Sequence, residues 1–421
     1  MGKYQVAVVQ NKALQQGKPE ESASSAGKAE APEKVSAQEA SGAFDRNIRS
    51  QVRQVMELLG GMGRFVKPGQ RVLMKPNLTG PAAWEKGVTT NPALLEALIE
   101  LALEAGAAKV DVGDGTGSIH IGTRKVMERC KIADKARRLG AELLDLNVGP
   151  MELLKVENGR ILESVKVNRA CLEYDVVINI PVLKTHFITE VSLGMKNLKG
   201  CIPPVEKRRF HDIGVNQAVA DLNRVFQTSL TVVDGIIGSE GLGPKEGKPV
   251  GMGVILAGEN VLAVDMAAAS IMGFEPEKIE HIRMAMEDGI GPSGIGEVEI
   301  LGDSIEKVSR SFQRAVPSIP DKGQAKIHNF GACSGCIGCA AITISRLEDM
   351  GFFAEDPERR VEIVIGTRIP KDGSWRNGFF MGNCAQARAE GRRFIRGCAP
   401  SALDAANEIL RCFQIEESPD V

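Results

Sequence analysis

Apolar residues recur along this chain in two rhythms that alternate with each other. Short runs that are apolar almost throughout occur in "RVLMKPN", "KVDVGDG", "YDVVINIPVL", "LTVVDGII" and "GVILAG", and each reads as a strand buried on both faces. Between them lie stretches with helical spacing, near 45 to 60 and in "NPALLEALIELALEAGA". In the latter Asn91 is placed to cap, Pro92 takes the first helical position, Leu94, Leu98 and Leu101 share a face, and Gly106 stands near the end. Strand and helix in strict alternation predict an α/β body to about residue 310, a mostly parallel sheet with helices on both faces. Residues 12 to 44, rich in Ala, Ser, Glu, Lys and Gly, break the pattern and read as a mobile surface insertion. Residues 311 to 325 have linker composition, and a smaller α/β domain is expected over 326 to 421. Its elements are a helix in "AAITISRLEDMGFF", strands in "VEIVIGT", "GFFMGN" and "RFIRG", a short helical "AQARAEG" and a closing helix in "PSALDAANEILRCF".

Composition narrows the picture. With 421 residues, 43% of them apolar, the chain has enough material for two or three domains, and 46 glycines beside only 4% aromatics favour tight strand-to-helix turns over an all-β sandwich. The formal charge of -2 creates no field that would attract nucleic acid or an anionic membrane surface. No apolar run approaches the roughly 18 residues of a membrane span, and "MGKYQVAVVQ" opens as a strand and not as a signal peptide. A cytoplasmic protein is expected.

In that compartment nine cysteines are not a disulfide framework. Cys130, Cys171 and Cys201 are scattered, whereas Cys333, Cys336, Cys339, Cys384, Cys398 and Cys412 crowd the C-terminal part. Cys333, Cys336 and Cys339 form Cys-x-x-Cys-x-x-Cys, with Gly335 and Gly338 between them to let the backbone wrap an inorganic core. That spacing opens the bacterial ferredoxin run, but no cysteine closes it, so a fourth ligand must come from afar: Cys384 or Cys398, each at the end of an expected strand. A [4Fe-4S] cluster is the favoured reading; zinc and inert buried thiols are the alternatives. Cys412, beside Leu410 and Phe413 in the closing helix, is expected to stay outside the site.

Two resemblances follow from quoted segments. "FFMGNCAQARAEGRRFIRGCAPSALDAANEIL" resembles the paired cysteine loops of nickel-iron hydrogenase small subunits, with Ala399-Pro400 where those have Pro-Pro, and the resemblance implies that Cys384 and Cys398 are both cluster ligands. "VLMKPNLTG", "GVTTNPALLEALIELALEAGAAKVDVGDGTG", "LKTHFITEVSLGMKNLKGCIP", "VVDGIIGSEGLGPKEGKPVGMGVILAG" and "LAVDMAAASIMGF" together resemble the "domain of unknown function 362" family over residues 72 to 274. That family implies an attached iron-sulfur segment but no reaction.

The body carries its own polar candidates. Lys75 and Asn77 in "KPN" and Lys184, Thr185 and His186 in "LKTH" end strands, and Lys196 and Asn197 follow in "KNLKG". The Gly-rich turn at 113 to 118, with Asp114, Gly115 and Gly117, would add backbone N-H donors. These residues are expected to form a cationic pocket for a small anionic substrate or cofactor, facing the smaller domain, with Asp234 compensating charge and His186 shuttling a proton. Asp114, Asp234 and Asp265 read as caps or, more sharply, as metal or proton handlers, and His211 as opening a helix. A redox enzyme or reductase component with a possible redox partner protein is the preferred function. An electron carrier, scaffold or iron-sulfur sensor, and a cluster-dependent lyase or isomerase, are the alternatives. Whether a flavin or nucleotide binds is left open.

Overall fold

A computed structural model describes residues 4–15, 37–117, 121–315, 323–371, 373, 375, 378–397 and 399–416. The chain divides into two compact units, one of residues 1–207 with 216–313 and a smaller one of 208–215 with 314–421.

The strands of the larger unit are β1 (Tyr4–Gln10), β2 (Arg71–Pro76), β3 (Lys109–Asp114), β4 (Leu143–Asp145), β5 (Met151–Lys155), β6 (Ser164–Asn168), β7 (Val176–Ile180), β8 (Val182–His186), β9 (Glu190–Val191), β10 (Leu230–Glu240), β11 (Lys248–Gly258) and β12 (Val298–Gly302). Among the described residues ten of them make one sheet in the order β12-β1-β11-β10-β7-β2-β3-β4, with β8 beside β10 and β9 beside β8; β5 and β6 form a separate hairpin. The run β10-β7-β2-β3-β4 is parallel, and β11 is antiparallel to both β1 and β10. The expected mostly parallel sheet is therefore present, with an antiparallel excursion that the apolar run "GVILAG" did not betray.

Both faces are covered because both sets of alternating side chains are apolar. Val72 and Met74, Val110 and Val112, and Ile178 and Ile180 join one cluster with Ile48, Val52, Leu94, Leu98, Val126 and Ala133 from flanking helices. The intervening Leu73 and Val177 point the other way and are buried as well. The helix Pro92–Glu104 starts as its residues dictate: the Asn91 side chain accepts from the Ala93 amide, and Pro92 holds the first turn. The first helix, Ala37–Leu58, begins inside the stretch read as an insertion, whose residues 16–36 lie outside those described; at its other end Leu14 is buried in the core.

In the smaller unit β13 (Ala325–Phe330), β14 (Val361–Gly366), β15 (Gly378–Met381) and β16 (Phe394–Ile395) form a parallel sheet in sequence order. Ile363, Ile365, Phe379 and Met381 pack with the helices Ser334–Asp349 and Ala402–Glu416, while Val364 and Phe380 face Trp375, Ala385 and Ala389. Residues 316–322 of the expected linker lie outside those described, and β13 begins within its final residues.

Leu98 is fully buried in the face that joins two helices to the sheet. Leu98→Ala is expected to lower unfolding free energy by about 2–5 kcal/mol in a denaturant titration, with the native far-ultraviolet spectrum retained.

Candidate functional site

The chain order of the parallel strands creates the site. From the β7/β2 pair, β3 and β4 follow to one side and β10 lies to the other, so connections leave the carboxyl ends of β2 and β7 in opposite directions. Such a switch point opens a crevice beyond the strand ends, and the residues at those ends here are polar.

Lys75 Nζ reaches Asp114 Oδ1 at 2.6 Å, the Pro76 carbonyl at 2.9 Å and Asn197 Oδ1 at 3.2 Å. Asn197 Oδ1 also accepts from Asn77 Nδ2 at 2.8 Å, and Asn197 Nδ2 donates to Asn179 Oδ1 at 2.8 Å. Asn77 Oδ1 in turn accepts from Lys184 Nζ at 2.6 Å, and that ammonium donates further to Thr79 Oγ1 at 2.9 Å and the Val88 carbonyl at 2.6 Å. Lys75, Asn77, Asp114, Lys184 and Asn197 are thus one connected network. Lys184 is fully buried with only neutral acceptors, so desolvation first, and then repulsion from Lys196, holds its pKa well below the usual lysine value.

Packing leaves the network little freedom. A Cβ on Gly200 would stand 2.1 Å from Asp114 Oδ1 and 2.4 Å from Lys75 Nζ, so glycine is the residue that lets this backbone press against the ion pair. Leu193 opens the helix Leu193–Asn197 with φ 45, a left-handed conformation disfavoured for a branched side chain. Asp265 holds it there by accepting from the Gly194 amide at 2.6 Å and the Met195 amide at 2.8 Å. Burial raises the Asp265 carboxyl to about 7 despite those two amides.

Other expected members do different work. His186 Nδ1 accepts from the amides of Ile188 at 3.1 Å and Thr189 at 3.4 Å, which organises the turn between β8 and β9. Asp234 does not sit against the lysines: it accepts from the amides of Asn91 at 2.7 Å and Ile236 at 3.1 Å, and burial raises it to about 6. The Gly-rich turn also departs from expectation. Gly115 presents its carbonyl to Lys207 Nζ at 2.7 Å, Asn147 accepts from the same ammonium, and the Thr116 amide is taken by Thr123 Oγ1 at 3.3 Å. Gly117 leaves the first carbon of a side chain only 3.3 Å from the Thr79 carbonyl, and Ser118 lies outside the described residues. Lys207, lowered to about 8 by burial, and the neutral ligands Asn147, Asn179 and Thr79 were missed because isolated polar residues carry no spacing signal. Cys171 and Cys201, scattered along the sequence, lie against one another, and this contact with burial raises the Cys171 thiol.

In the smaller unit the carboxyl ends of all four strands border one cavity. Gly331, Ala332, Cys333 and Cys336 come after β13, Gly366 ends β14 and Thr367 follows it, Met381 ends β15 with Asn383 and Cys384 beyond it, and Gly397 comes after β16; Arg208 and Asp212 complete the lining. His211, expected to open a helix, lies near the end of the helix Pro204–Ile213, and its Nδ1 is 3.1 Å from Ser334 Oγ. The cysteine motif is not a wrapping loop: Cys333 caps the helix Ser334–Asp349 and Cys336 and Cys339 lie within it. Hydrogen bonds from Cys336 and from the amides of Cys336 and Gly335 lower the Cys333 thiol to about 6. Cys384 Sγ lies 2.8 Å from Arg208 Nη2, and Gly382, at φ 92, leaves room where a Cβ would stand 3.0 Å from Cys336 Sγ. Cys339 Sγ instead donates to the Pro400 carbonyl at 3.1 Å. Cys398 lies outside the described residues, and Cys412 packs against the apolar cluster. Among the described residues no group of three or more His, Cys, Asp or Glu side chains is arranged to hold a metal ion. The thiols of Cys333, Cys336 and Cys384 border this glycine-lined cavity, and Cys339 is turned aside to Pro400.

Residues 72–270 match the family model described as Domain of unknown function (DUF362). The matched segment contains the whole Lys75 network and Asp265, and of the residues that line the cysteine cavity it includes Arg208 and Asp212 but none of the cysteines. The thylakoid-associated protein sll1697 of Synechocystis sp. is 29% identical over 255 residues, covering 59% of this chain and 77% of that protein. Among solved structures, the lactate racemase apoprotein of Thermoanaerobacterium thermosaccharolyticum aligns with 13% identity and a TM-score of 0.37 over 75% of this chain and 66% of that one. A Thermotoga maritima protein from a structural genomics programme aligns with the same identity and score over 76% and 70%. At that score neither bears on what this chain does. No helix among the described residues is long and apolar enough to cross a membrane.

The raised Asp265 carboxyl has a signed consequence for stability. Its folded pKa of about 7 exceeds the unfolded value near 3.9, so the folded chain holds the proton more tightly. Relative to Asp265→Asn, the wild type is expected to be most stable below about pH 4 and to lose on the order of 1 kcal/mol per pH unit between about 4 and 7. Paired denaturant titrations across that range measure the difference; a constant gap would contradict it.

Proposed function

We propose that the DUF362 body binds a small carboxylate- or phosphate-bearing anion, that the smaller unit carries a [4Fe-4S] cluster, and that the protein is a redox enzyme or reductase component. The observation that carries the anion reading is a charge imbalance at the switch point. Lys75, Lys184, Lys196 and Lys207 gather there, and among the described residues Asp114 is the one carboxylate in an ion pair with any of them. Buried like charges raise each other's cost, and an anion relieves it. In this reading Lys75 and Lys184, held by Asn77 and Asn197, orient and neutralise the ligand, and His186, two residues beyond Lys184 on β8, is a proton carrier.

The cluster reading is supported by the Cys-x-x-Cys-x-x-Cys spacing, by the cavity shared by Cys333, Cys336 and Cys384, and by the likeness of the Cys384 and Cys398 loops to those of hydrogenase small subunits. Cys333, Cys336 and Cys339 would be ligands, Cys339 giving up its bond to Pro400, with Cys384 or Cys398 completing the set. A bound cluster of this type supplies one-electron transfer. The thiol-rich sequence accords with a reducing, cytoplasmic compartment and a redox partner protein.

Two measurements test the proposal. Protein purified without oxygen is expected to contain iron and acid-labile sulfide and to give a low-temperature EPR signal on reduction, lost in Cys336→Ser and kept in Cys412→Ser; zinc without sulfide would refute the cluster. For the body, phosphate or pyruvate is expected to raise the melting temperature in a saturable manner, and Lys184→Met to weaken that binding at least about tenfold, the scale of one charge-assisted contact. No saturable shift with either anion would refute the site.

A further inference from the structure

We infer that Arg208 is the positioning residue of the cysteine cavity: its guanidinium fixes Cys384 as a ligand beside Cys333 and Cys336, and it raises the reduction potential of the group they hold. This rests on the cluster reading proposed above and names the residue that tunes it.

The cavity is built from backbone that side chains avoid. At the end of each strand of the smaller sheet stands a glycine of positive φ: Gly331 after β13, Gly366 ending β14, Gly382 after β15 and Gly397 after β16. Glycine there keeps side-chain carbons out of the space that the thiols border. Gly382 carries the tightest case, since a Cβ on it would stand 3.0 Å from Cys336 Sγ.

The loop that carries Cys384 is pinned on the same side. The Asn383 amide donates to the Gly397 carbonyl at 2.8 Å, the Gly397 amide donates to Asn383 Oδ1 at 3.0 Å, and the Gly382 amide donates to the Ile395 carbonyl at 2.9 Å. These bonds place the backbone of Cys384 and leave its thiol to be aimed by another group. Arg208, which belongs to the smaller unit with the cavity, supplies that group: its Nη2 donates to Cys384 Sγ at 2.8 Å, while its Nε faces Asp212 Oδ2 at 3.9 Å one turn along the same helix. A planar guanidinium engaged on two edges is held in orientation as well as in place.

Charge gives this placement its consequence. Thiolate ligands load the cavity with negative charge, and an added electron increases it. Among the lining residues Arg208 is the cation and Asp212 the carboxylate. A permanent cation that donates a hydrogen bond to a ligand sulfur stabilises the more negative, reduced state, so it raises the potential. The ordinary reading of Arg208 is a half-exposed ion pair with Asp212, which would leave the potential unmoved.

The test uses the full chain purified without oxygen, with iron and sulfide analysis and an EPR-monitored redox titration of the wild type, Arg208→Gln, Arg208→Lys and Cys384→Ser. Arg208→Gln is expected to lower the midpoint potential by at least about 30 mV, a change of about threefold in the one-electron equilibrium. Arg208→Lys keeps the charge and is expected to recover at least about half of that shift. Cys384→Ser is expected to lose iron and sulfide to the same extent as Cys336→Ser, and it decides the matter if Arg208→Gln fails to fold. Equal potentials in the wild type and Arg208→Gln, or full iron and sulfide in Cys384→Ser, would overturn the inference while the cluster stands. Wild-type protein without iron and sulfide would remove the cluster reading and this inference with it.

Discussion

Lys75 meets Asp114 across the gap between the ends of β2 and β3, and that buried 2.6 Å pair constrains everything packed around it. Two charges removed from water are tolerated only if their remaining donors and lone pairs are met, because the Coulombic gain seldom exceeds the desolvation cost alone. Here the Pro76 carbonyl and Asn197 take the other lysine protons, and the Leu78 amide takes the second carboxylate oxygen at 3.1 Å. Gly200 has no side chain because the pair occupies its place. Asn197 must therefore lie at a fixed depth, and Asn77, Asn179 and Lys184 are set through it.

Sheet topology explains why such a costly arrangement sits where it does. Side chains at the ends of central parallel strands are walled by neighbouring strands and by the loops that leave them, so they are desolvated without being embedded in an apolar cluster. Polar residues there are forced to satisfy one another. The short helix Leu193–Asn197 enters this space only by adopting an unfavourable backbone at Leu193, and the carboxylate that stabilises it, Asp265, comes from a helix some seventy residues later in the chain. The strain is local to the candidate site, and its support is remote in sequence.

The smaller unit repeats the same logic with sulfur. Four parallel strands deliver their carboxyl ends to one cavity, and a helix N-terminus, with the amides of Gly335 and Cys336 directed at Cys333, stabilises negative charge on its thiol. Because Cys333 to Cys339 run along a helix, a spacing of three turns successive thiols progressively around the axis, and Cys339 reaches Pro400 while Cys333 and Cys336 border the cavity.

What the amino-acid sequence determined by itself was local: buried parallel strands from unbroken apolar runs, the helix at Pro92 from its cap and periodicity, and polar residues at strand ends, since these depend on neighbours a few positions apart. Lys75, Asn77, Lys184 and Asn197 were legible for that reason. What only the tertiary structure decided were pairings between distant residues. Asp234 and Asp265 look alike in sequence, yet each takes backbone amides instead of lysines, and Lys207 reaches the site from a helix far along the chain. Spacing along a chain carries no information about which buried group will find a partner across the fold, and that partnership, through desolvation, is what sets charge, reactivity and the need for a ligand.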